Sequence, residues 1–309
     1  MSACGGLHHR QVRQRLSPGF RVGHFTDPGG ETGCTVVLPP PGNVCAYDLR
    51  GSSPGSRELA SLDLERRATE VHGILLTGGS AFGLAAADGV MAWLEEHGIG
   101  YHTEIATIPI VPAAVIFDLG ASKDHGRPGP KAGYAACQAA VEEPVPVGRV
   151  GAGTGATVGK WAGREYRSPG GMGLALMEVN GMSLAALAVV NALGDVIAAD
   201  GSVLAGTTAS NPTFRAPAEP TEATVANTVL AVVTTNAALD KSQVRFLAAR
   251  GSDGITKAVR PAHTRYDGDV VFAVAGPPAA GAPHANLDVL GLLAADAVAA
   301  AVRNAVRPA

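Results

Sequence analysis

Charge is scarce in this chain: Asp, Glu, Lys and Arg make up 17% of its 309 residues, against about 25% in an ordinary soluble domain. A surface so poor in charge is read as partly covered, and a homo-oligomer is the simplest cover. No Lys/Arg block runs long enough to grip phosphate or lipid, and the net charge is only −3, so neither nucleic acid nor a membrane surface is expected as a partner. No uninterrupted apolar stretch reaches the roughly 20 residues of a membrane span. Cysteine is confined to Cys4, Cys34, Cys45 and Cys137, without a C-x-x-C pair or zinc spacing, which predicts reduced thiols and a cytoplasmic location. Met1 to Leu16 is polar and basic with no apolar segment, so no signal peptide is expected there. His97, His102 and Glu104 lack metal spacing on one helix; no metal and no organic cofactor is expected.

Glycine, by contrast, is abundant: 40 residues, close to twice the usual share of about 7%. The glycines are scattered between apolar runs, which predicts tight turns and close packing of layers. Residues 1–18 read as a disordered lead-in, and 19–309 as one catalytic domain. Phe20 to His24, Cys34 to Leu38 and Asn43 to Leu49 read as short strands. The apolar run His72 to Leu76 enters Thr77-Gly78-Gly79-Ser80, and a helix is expected from about Ala81 to His97. Ile108 to Leu119, interrupted by prolines, reads as an extended or edge segment, and Lys131 to Glu142 as a second helix. Gly173 to Val179, Asn180-Gly181 and Met182 to Asn191 predict a hairpin with a type I′ turn. Val196 to Ala199, Val229 to Thr235 and Asp269 to Val274 read as strands, Ser242 to Ala249 as a helix, and Leu287 to Val306 as a long Ala-rich helix. The order is not a regular β-α-β alternation; two packed sheets with helices outside, an αββα sandwich, is the expected architecture.

Between these elements lies a polar loop, Gly206 to Ala223, followed by Thr224-Val225-Ala226-Asn227 and then the strand beginning at Thr228. A Thr hydroxyl becomes a nucleophile only when a base removes its proton. Its own α-amine, with a pKa of about 8, can be that base once it is freed from a peptide bond. A threonine that opens a buried strand behind a releasable loop meets both conditions, although many strands begin with Thr. Downstream, Asp267-Gly268-Asp269 opens the last strand and sends two carboxylates to one side, where a plain Asp-Gly-Asp turn is the simpler reading of the same residues.

A set of landmarks in order decides between these readings. They are Gly23-His24 with Thr35-Val36-Val37-Leu38, Asp48-Leu49-Arg50-Gly51 through Pro54-Gly55-Ser56-Arg57-Glu58, and Leu76-Thr77-Gly78-Gly79-Ser80-Ala81-Phe82-Gly83-Leu84. Gly151 to Ala156, Val190-Asn191-Ala192-Leu193-Gly194-Asp195 and Asn227-Thr228 follow. In these the chain, from Arg21 to about Val306, resembles the self-processing DmpA-type aminopeptidase and nylon-oligomer (6-aminohexanoate) endo-hydrolase family of N-terminal-nucleophile hydrolases. The Asn-Thr junction and Asp267-x-Asp269 resemble the nylon-oligomer branch more closely.

The resemblance implies a four-layer αββα sandwich of the N-terminal-nucleophile type, similar also to ornithine acetyltransferase. It implies cleavage between Asn227 and Thr228 into residues 1–227 and 228–309, attack by Thr228 on amides, and a homo-oligomer, with a tetramer favoured. Asn191 would stabilise the oxyanion, Lys160 would be the active-site lysine, and Asp267 and Asp269 would hold the Thr228 amine. Gly79 and Ser80 would offer helix N-terminal amides to the substrate. Phe117 stands where some relatives have a tyrosine, so a hydroxyl donor is missing there. Expected substrates are short peptides, amino-acid amides or ω-amino-acid oligomers. An acyltransferase of the ornithine acetyltransferase type, or an uncleaved binding protein on the same fold, are the alternatives.

Three look-alikes fail on context. Gly151-x-Gly153-x-x-Ala156 matches a dinucleotide fingerprint, but Gly159, Gly163 and Pro169 would break the helix it requires. Lys160 after Gly159 suggests a phosphate loop, yet Thr154 and Trp161 occupy positions that need Gly and Ser/Thr. Ser80 suggests a nucleophile elbow, but Phe82 takes the place of its last glycine.

Overall fold

The strand Thr228–Thr235 carries apolar or β-branched residues at consecutive positions, TVLAVVTT, and every one of them is buried. Such a strand cannot have a solvent face; it needs a core on each side. A computed structural model, describing residues 14–29, 31–120, 126–179, 181–213, 227–277 and 286–307, supplies both.

Ten strands build the two main sheets. In chain order they are β1 (Arg21–Thr26), β2 (Gly33–Leu38), β3 (Val44–Gly51), β4 (Ser56–Arg57), β5 (Ile74–Thr77), β6 (Ala113–Val115), β7 (Gly171–Val179), β8 (Met182–Asn191), β9 (Thr228–Thr235) and β10 (Gly268–Ala275). The first sheet runs β1-β2-β5-β6-β4 and the second β7-β8-β9-β10-β3. Four helices accompany them: α1 (Ala86–Glu96), α2 (Pro130–Gln138), α3 (Lys241–Ala258) and α4 (Leu287–Asn304). None is long and apolar enough to cross a membrane.

Three apolar cores separate these elements, and the alternation of side chains along each strand assigns them. On β9, Val229, Ala231 and Val233 pack with Val244, Leu247, Leu290 and Val298 of α3 and α4. Leu230 and Val232 point the other way, into a core shared with Val22, Val37, Ile74 and Leu76 of the first sheet. On the far side of that sheet, Cys34, Val36 and Leu75 meet Ala86, Val90 and Leu94 of α1 and Ala132 and Ala136 of α2. Helix pair, sheet, sheet and helix pair follow from this packing. Strands β9 and β10 are the one parallel pair of the second sheet; α3 makes the crossover a parallel pair requires.

Some expectations shift. Leu16 and Ser17, placed in the disordered lead-in, are buried, and the Ser17 amide donates to Thr234 Oγ1 at 3.1 Å; residues 1–13 lie outside the described residues. The Ile108–Leu119 segment is not an edge: β6 lies between β5 and β4, because Pro109 and Pro112 precede the residues that enter the ladder. Helix α1 starts later than expected, after a 3-10 turn over Ser80–Ala85, since Gly79 and Ser80 both adopt left-handed backbone. Helix α3 runs nine residues past Ala249. Gly251 and Gly254 do not stop it, because their missing side chains let α3 lie against Val271 and the Ala295 carbonyl. Strands β7 and β8 form the expected hairpin; Asn180 of its turn lies outside the described residues.

Close packing explains part of the glycine excess. Where α1 crosses α2, a Cβ on Gly133 would overlap the carbonyl oxygen of Ala86, and one on Gly89 would overlap that of Pro130. Backbone cannot yield as a side chain can. Gly133→Ala gains about 1 kcal/mol of helix propensity, yet we expect a net loss of stability on the order of 2 kcal/mol from overpacking. Urea denaturation measures it, and a stabilised variant would show that the helices do not meet at this point.

Candidate active site

Pairing in the second sheet brings distant residues together. Antiparallel register between β8 and β9 sets Asn191 directly across from Thr228. On the other side, an isolated parallel bridge joins Asn227 to Asp267, and the Gly268 N–H donates to the Asn227 carbonyl at 3.1 Å. The Thr228 hydroxyl donates to that same carbonyl. Both Asn227 and Thr228 are buried, at 5% exposure each. Of the polar loop before them, residues 206–213 form neither helix nor strand; 214–226 lie outside the described residues.

Alternation sends Thr228 and Asn191 toward the core between the sheets, in step with Leu230 and Val189. There the Asn191 amide is held at both ends. Its Oδ1 accepts from the Thr157 N–H at 3.0 Å and from Lys160 Nζ at 2.9 Å. Its Nδ2 donates to the Phe117 carbonyl at 3.2 Å, a partner set that permits only one orientation of the amide. Lys160 Nζ also donates to the Asn191 main-chain carbonyl at 3.0 Å. Burial drives the Lys160 ammonium well below its ordinary range; the negative charge of Asp267 opposes this, while Arg164 and Arg167 add to it. An amine in that position is a weakly held proton beside the oxygen-rich end of Asn191.

Asp267 and Asp269 do share a side of β10, but it is the helix-facing side, in step with Val271 and Ala273. Asp269 therefore lies across the sheet from the Thr228 hydroxyl, whereas Asp267, at the mouth of the strand beside Asn227, acts on Lys160 through its charge. Asp269 Oδ1 accepts from the N–H of Val229 at 2.6 Å, one residue past the expected nucleophile, rather than from Thr228 itself. Asp267 Oδ2 accepts from the Thr264 N–H at 2.8 Å and the Thr264 hydroxyl at 2.5 Å. Burial, and next the charge of Asp269, push the Asp267 carboxyl up to about 6, against the pull of Thr264 and the Leu193 amide.

The two helix-start amides expected to face substrate are engaged within the protein. Gly79 N–H donates to Asp118 Oδ1 at 2.7 Å, and Ser80 N–H to the Ile116 carbonyl at 3.0 Å. That departure follows from the left-handed backbone at both residues, which turns their N–H groups inward. Phe117 contributes through its carbonyl, which any residue would supply, and its ring lies 5.7 Å beneath the Arg164 guanidinium. A cleft of about 380 Å³ opens beside this cluster, lined by Phe117, Asp118, Thr157, Lys160, Arg164 and Arg167 among others.

Several residues at the site carry no sequence signal strong enough to select them. Thr157, in a two-residue strand, and Thr264, in a loop, are ordinary threonines until the fold aims them at Asn191 and Asp267. Asp118, the single acid in the apolar run 108–119, was not singled out from the sequence. His263, whose ring bonds Asp269, sits in a polar stretch with nothing to mark it. Competing nucleophiles fare poorly. Burial pushes the Cys34 and Cys137 thiols up to about 12 and Cys45 higher still, so none of them is a thiolate near neutrality. The amides of Gly151 and Ala152, which a nucleotide phosphate would need, donate to Thr26 and Thr35.

Comparison with known proteins identifies the family. The family model described as peptidase family S58 matches residues 17–309. An aminopeptidase of Mycobacterium tuberculosis (strain H37Rv), named as uncharacterized, is 42% identical over 92% of this chain and 90% of its own. The 6-aminohexanoate-oligomer endohydrolase of Kocuria sp. (strain KY2) is 31% identical over 83% of this chain and 73% of its own. Among solved structures, the L-aminopeptidase D-Ala-esterase/amidase of Ochrobactrum anthropi, described as a variant of the Ntn hydrolase fold, superposes with a TM-score of 0.70 at 19% identity, covering 94% of this chain and 85% of that one. Sharing that fold, and matched by the family model over all but its first 16 residues, the chain belongs to peptidase family S58.

Proposed function

We propose that the chain cuts itself between Asn227 and Thr228, and that the freed Thr228 hydrolyses amide bonds in short peptides, amino-acid amides or ω-amino-acid oligomers. The observation that carries this reading is the seat of the Thr228 hydroxyl against the carbonyl of Asn227, inside a sheet that also aims the Gly268 N–H at that oxygen. In the first step Oγ1 adds to the Asn227 carbonyl carbon and gives up its proton. Negative charge gathers on the carbonyl oxygen, where Gly268 donates. The bond to the Thr228 nitrogen then breaks, that nitrogen takes a proton, and an ester remains. Water hydrolyses the ester to an Asn227 carboxylate and a Thr228 with free amine and hydroxyl. Asp267 stands beside the broken bond through its bridge to Asn227, and a carboxyl near 6 can take and return a proton close to neutrality.

In the mature enzyme the Thr228 amine serves as base to its own hydroxyl. The hydroxyl attacks a substrate carbonyl, the amine of the substrate leaves with the proton, and the acyl-enzyme is hydrolysed by water. Asn191, opposite Thr228 and locked by Thr157 and Lys160, is the donor for this second oxyanion. Its rigidity matters, because a donor already in place needs no reorganisation when charge appears. The relatives named as aminopeptidase and as 6-aminohexanoate-oligomer endohydrolase support amides as the substrate class.

Denaturing electrophoresis with intact mass is expected to give two fragments, 1–227 and 228–309, the second beginning with Thr. Thr228→Ala is expected to stay a single 31.1 kDa chain without amidase activity; a wild-type chain that remains whole would refute the reading. Asn191→Ala is expected to lower kcat by about 100-fold or more in a panel of amino-acid amides. Asp267 makes a stability prediction of defined sign. Its folded-state pKa is raised, so its contribution to stability is fully present below the unfolded value and is lost as pH rises through about 6. Asp267→Asn is therefore expected to be more stable than wild type at pH 8, by on the order of 2 kcal/mol, with the advantage shrinking toward pH 4 in thermal melts, and to process and turn over more slowly.

A further inference from the structure

Behind the nucleophile strand lies a histidine that the scheme above leaves unused. His263 Nδ1 stands 2.7 Å from Asp269 Oδ2, and its Nε2 stands 3.0 Å from the main-chain carbonyl of Ser252 in α3. A carbonyl oxygen and an ionised carboxylate only accept, whereas a neutral imidazole has a single N–H to give. Both contacts are satisfied at once when both ring nitrogens carry hydrogen. The backbone is shaped for this placement: His263 has φ of +54°, in the left-handed region where Asn, Asp and His are enriched among non-glycine residues.

Asp269 needs such a partner. It is 2% exposed, and a buried carboxylate without a counter-charge is costly. Its other oxygen accepts the Val229 N–H at 2.6 Å. A continuous line of hydrogen bonds thus runs from α3 through His263 and Asp269 to the amide next to Thr228. Cleavage before Thr228 would remove the covalent tether at that end of β9, and a strand end without a tether frays. Among the described residues, the pairing with Asn191 and the Asp269 contact then hold that end.

We propose that His263, as an imidazolium, is a positioning residue: it clamps Asp269 to α3 and so fixes the freed end of the nucleophile strand. This rests on Thr228 being the nucleophile. The charged groups around the ring are Asp269 in front and Arg50 of β3 to the side, with Asp267 two residues from Asp269 along β10. Arg50 is itself paired, Nε with Asp48 and Nη1 with Asp253, both at 2.9 Å. Burial favours the neutral ring, but the hydrogen bond and charge of Asp269, helped by the Ser252 carbonyl, outweigh it and raise the His263 pKa, while Arg50 opposes them. The clamp is accordingly lost as pH rises through that raised value.

Long-range ¹⁵N–¹H NMR of the imidazoles in the mature wild-type protein tests the charge state directly, with His263→Gln identifying the signals. Both His263 nitrogens are expected to be protonated at pH 7, where an unperturbed ring of pKa about 6.5 is mostly neutral. In kinetics, His263→Gln and His263→Asn are expected to lower kcat tenfold or more while KM moves less than about twofold, and the alkaline fall of kcat seen in wild type is expected to vanish. A single-N–H ring at pH 7 overturns the proposal, as does a folded variant with unchanged kcat and pH profile. Where the variants fold poorly, the wild-type NMR titration still decides. A chain that proves uncut and inactive brings down the Thr228 reading and the positioning role with it, while the NMR result separately upholds or rejects the bridge.

Discussion

The site depends on one constraint, the register of the strand Thr228–Thr235 between its two neighbours. Antiparallel pairing on one side puts Asn191 opposite Thr228. Parallel pairing on the other puts Asp267 beside Asn227 and Asp269 beside Val229. A slip by one residue would exchange the two faces of the strand, moving Leu230 and Val232 out of the inter-sheet core. Because Val229, Ala231 and Val233 fill one core and Leu230 and Val232 the other, two apolar cores hold the register from both sides. Hydrophobic packing thereby sets the position of a hydroxyl group that makes almost no contribution to that packing.

The same strand divides the chemistry in two. On the inter-sheet side stand Thr228, Asn191 and Lys160, with Thr157 and the Phe117 carbonyl completing the cluster. On the helix side stand Asp267, Asp269 and His263. Buried charge is compensated in part: Asp269 by His263 on the helix side, and the burial penalty on Lys160 by Asp267 across the sheet. The carboxyl of Asp267 is left only partly compensated, and its pKa rises in consequence. Perturbation of this kind is the expected cost of putting titratable groups in a water-poor site.

The main elements were legible because their patterns are strong. Strands β7, β8 and β9 and the long C-terminal helix were placed within a few residues of where they lie, and the landmark motifs led to the Ntn-type fold shared with the Ochrobactrum anthropi enzyme. Misjudged segments share a physical cause. Gly251 and Gly254 signal a helix end in isolation, but the packing of α3 against β10 and α4 makes them necessary inside the helix. Pro109 and Pro112 signal an edge, but they stand before the ladder and not in it. The amides of Gly79 and Ser80 were expected to be open to substrate; Asp118 and the Ile116 carbonyl, brought from almost forty residues away in sequence, engage them.

By itself, the sequence determined the period of the strands, the low surface charge, the parity that sends Asp267 and Asp269 to one side, and the motifs of an S58 peptidase around Thr228. Those are properties of neighbouring residues, and neighbours in sequence remain neighbours in the fold. Which side of the sheet the aspartates share, which amide Asp269 reaches, and that His263 joins it were decided by tertiary structure alone. Pairing between β8, β9 and β10 and the approach of α3 bring together groups tens of residues apart, and no local pattern encodes where those elements meet.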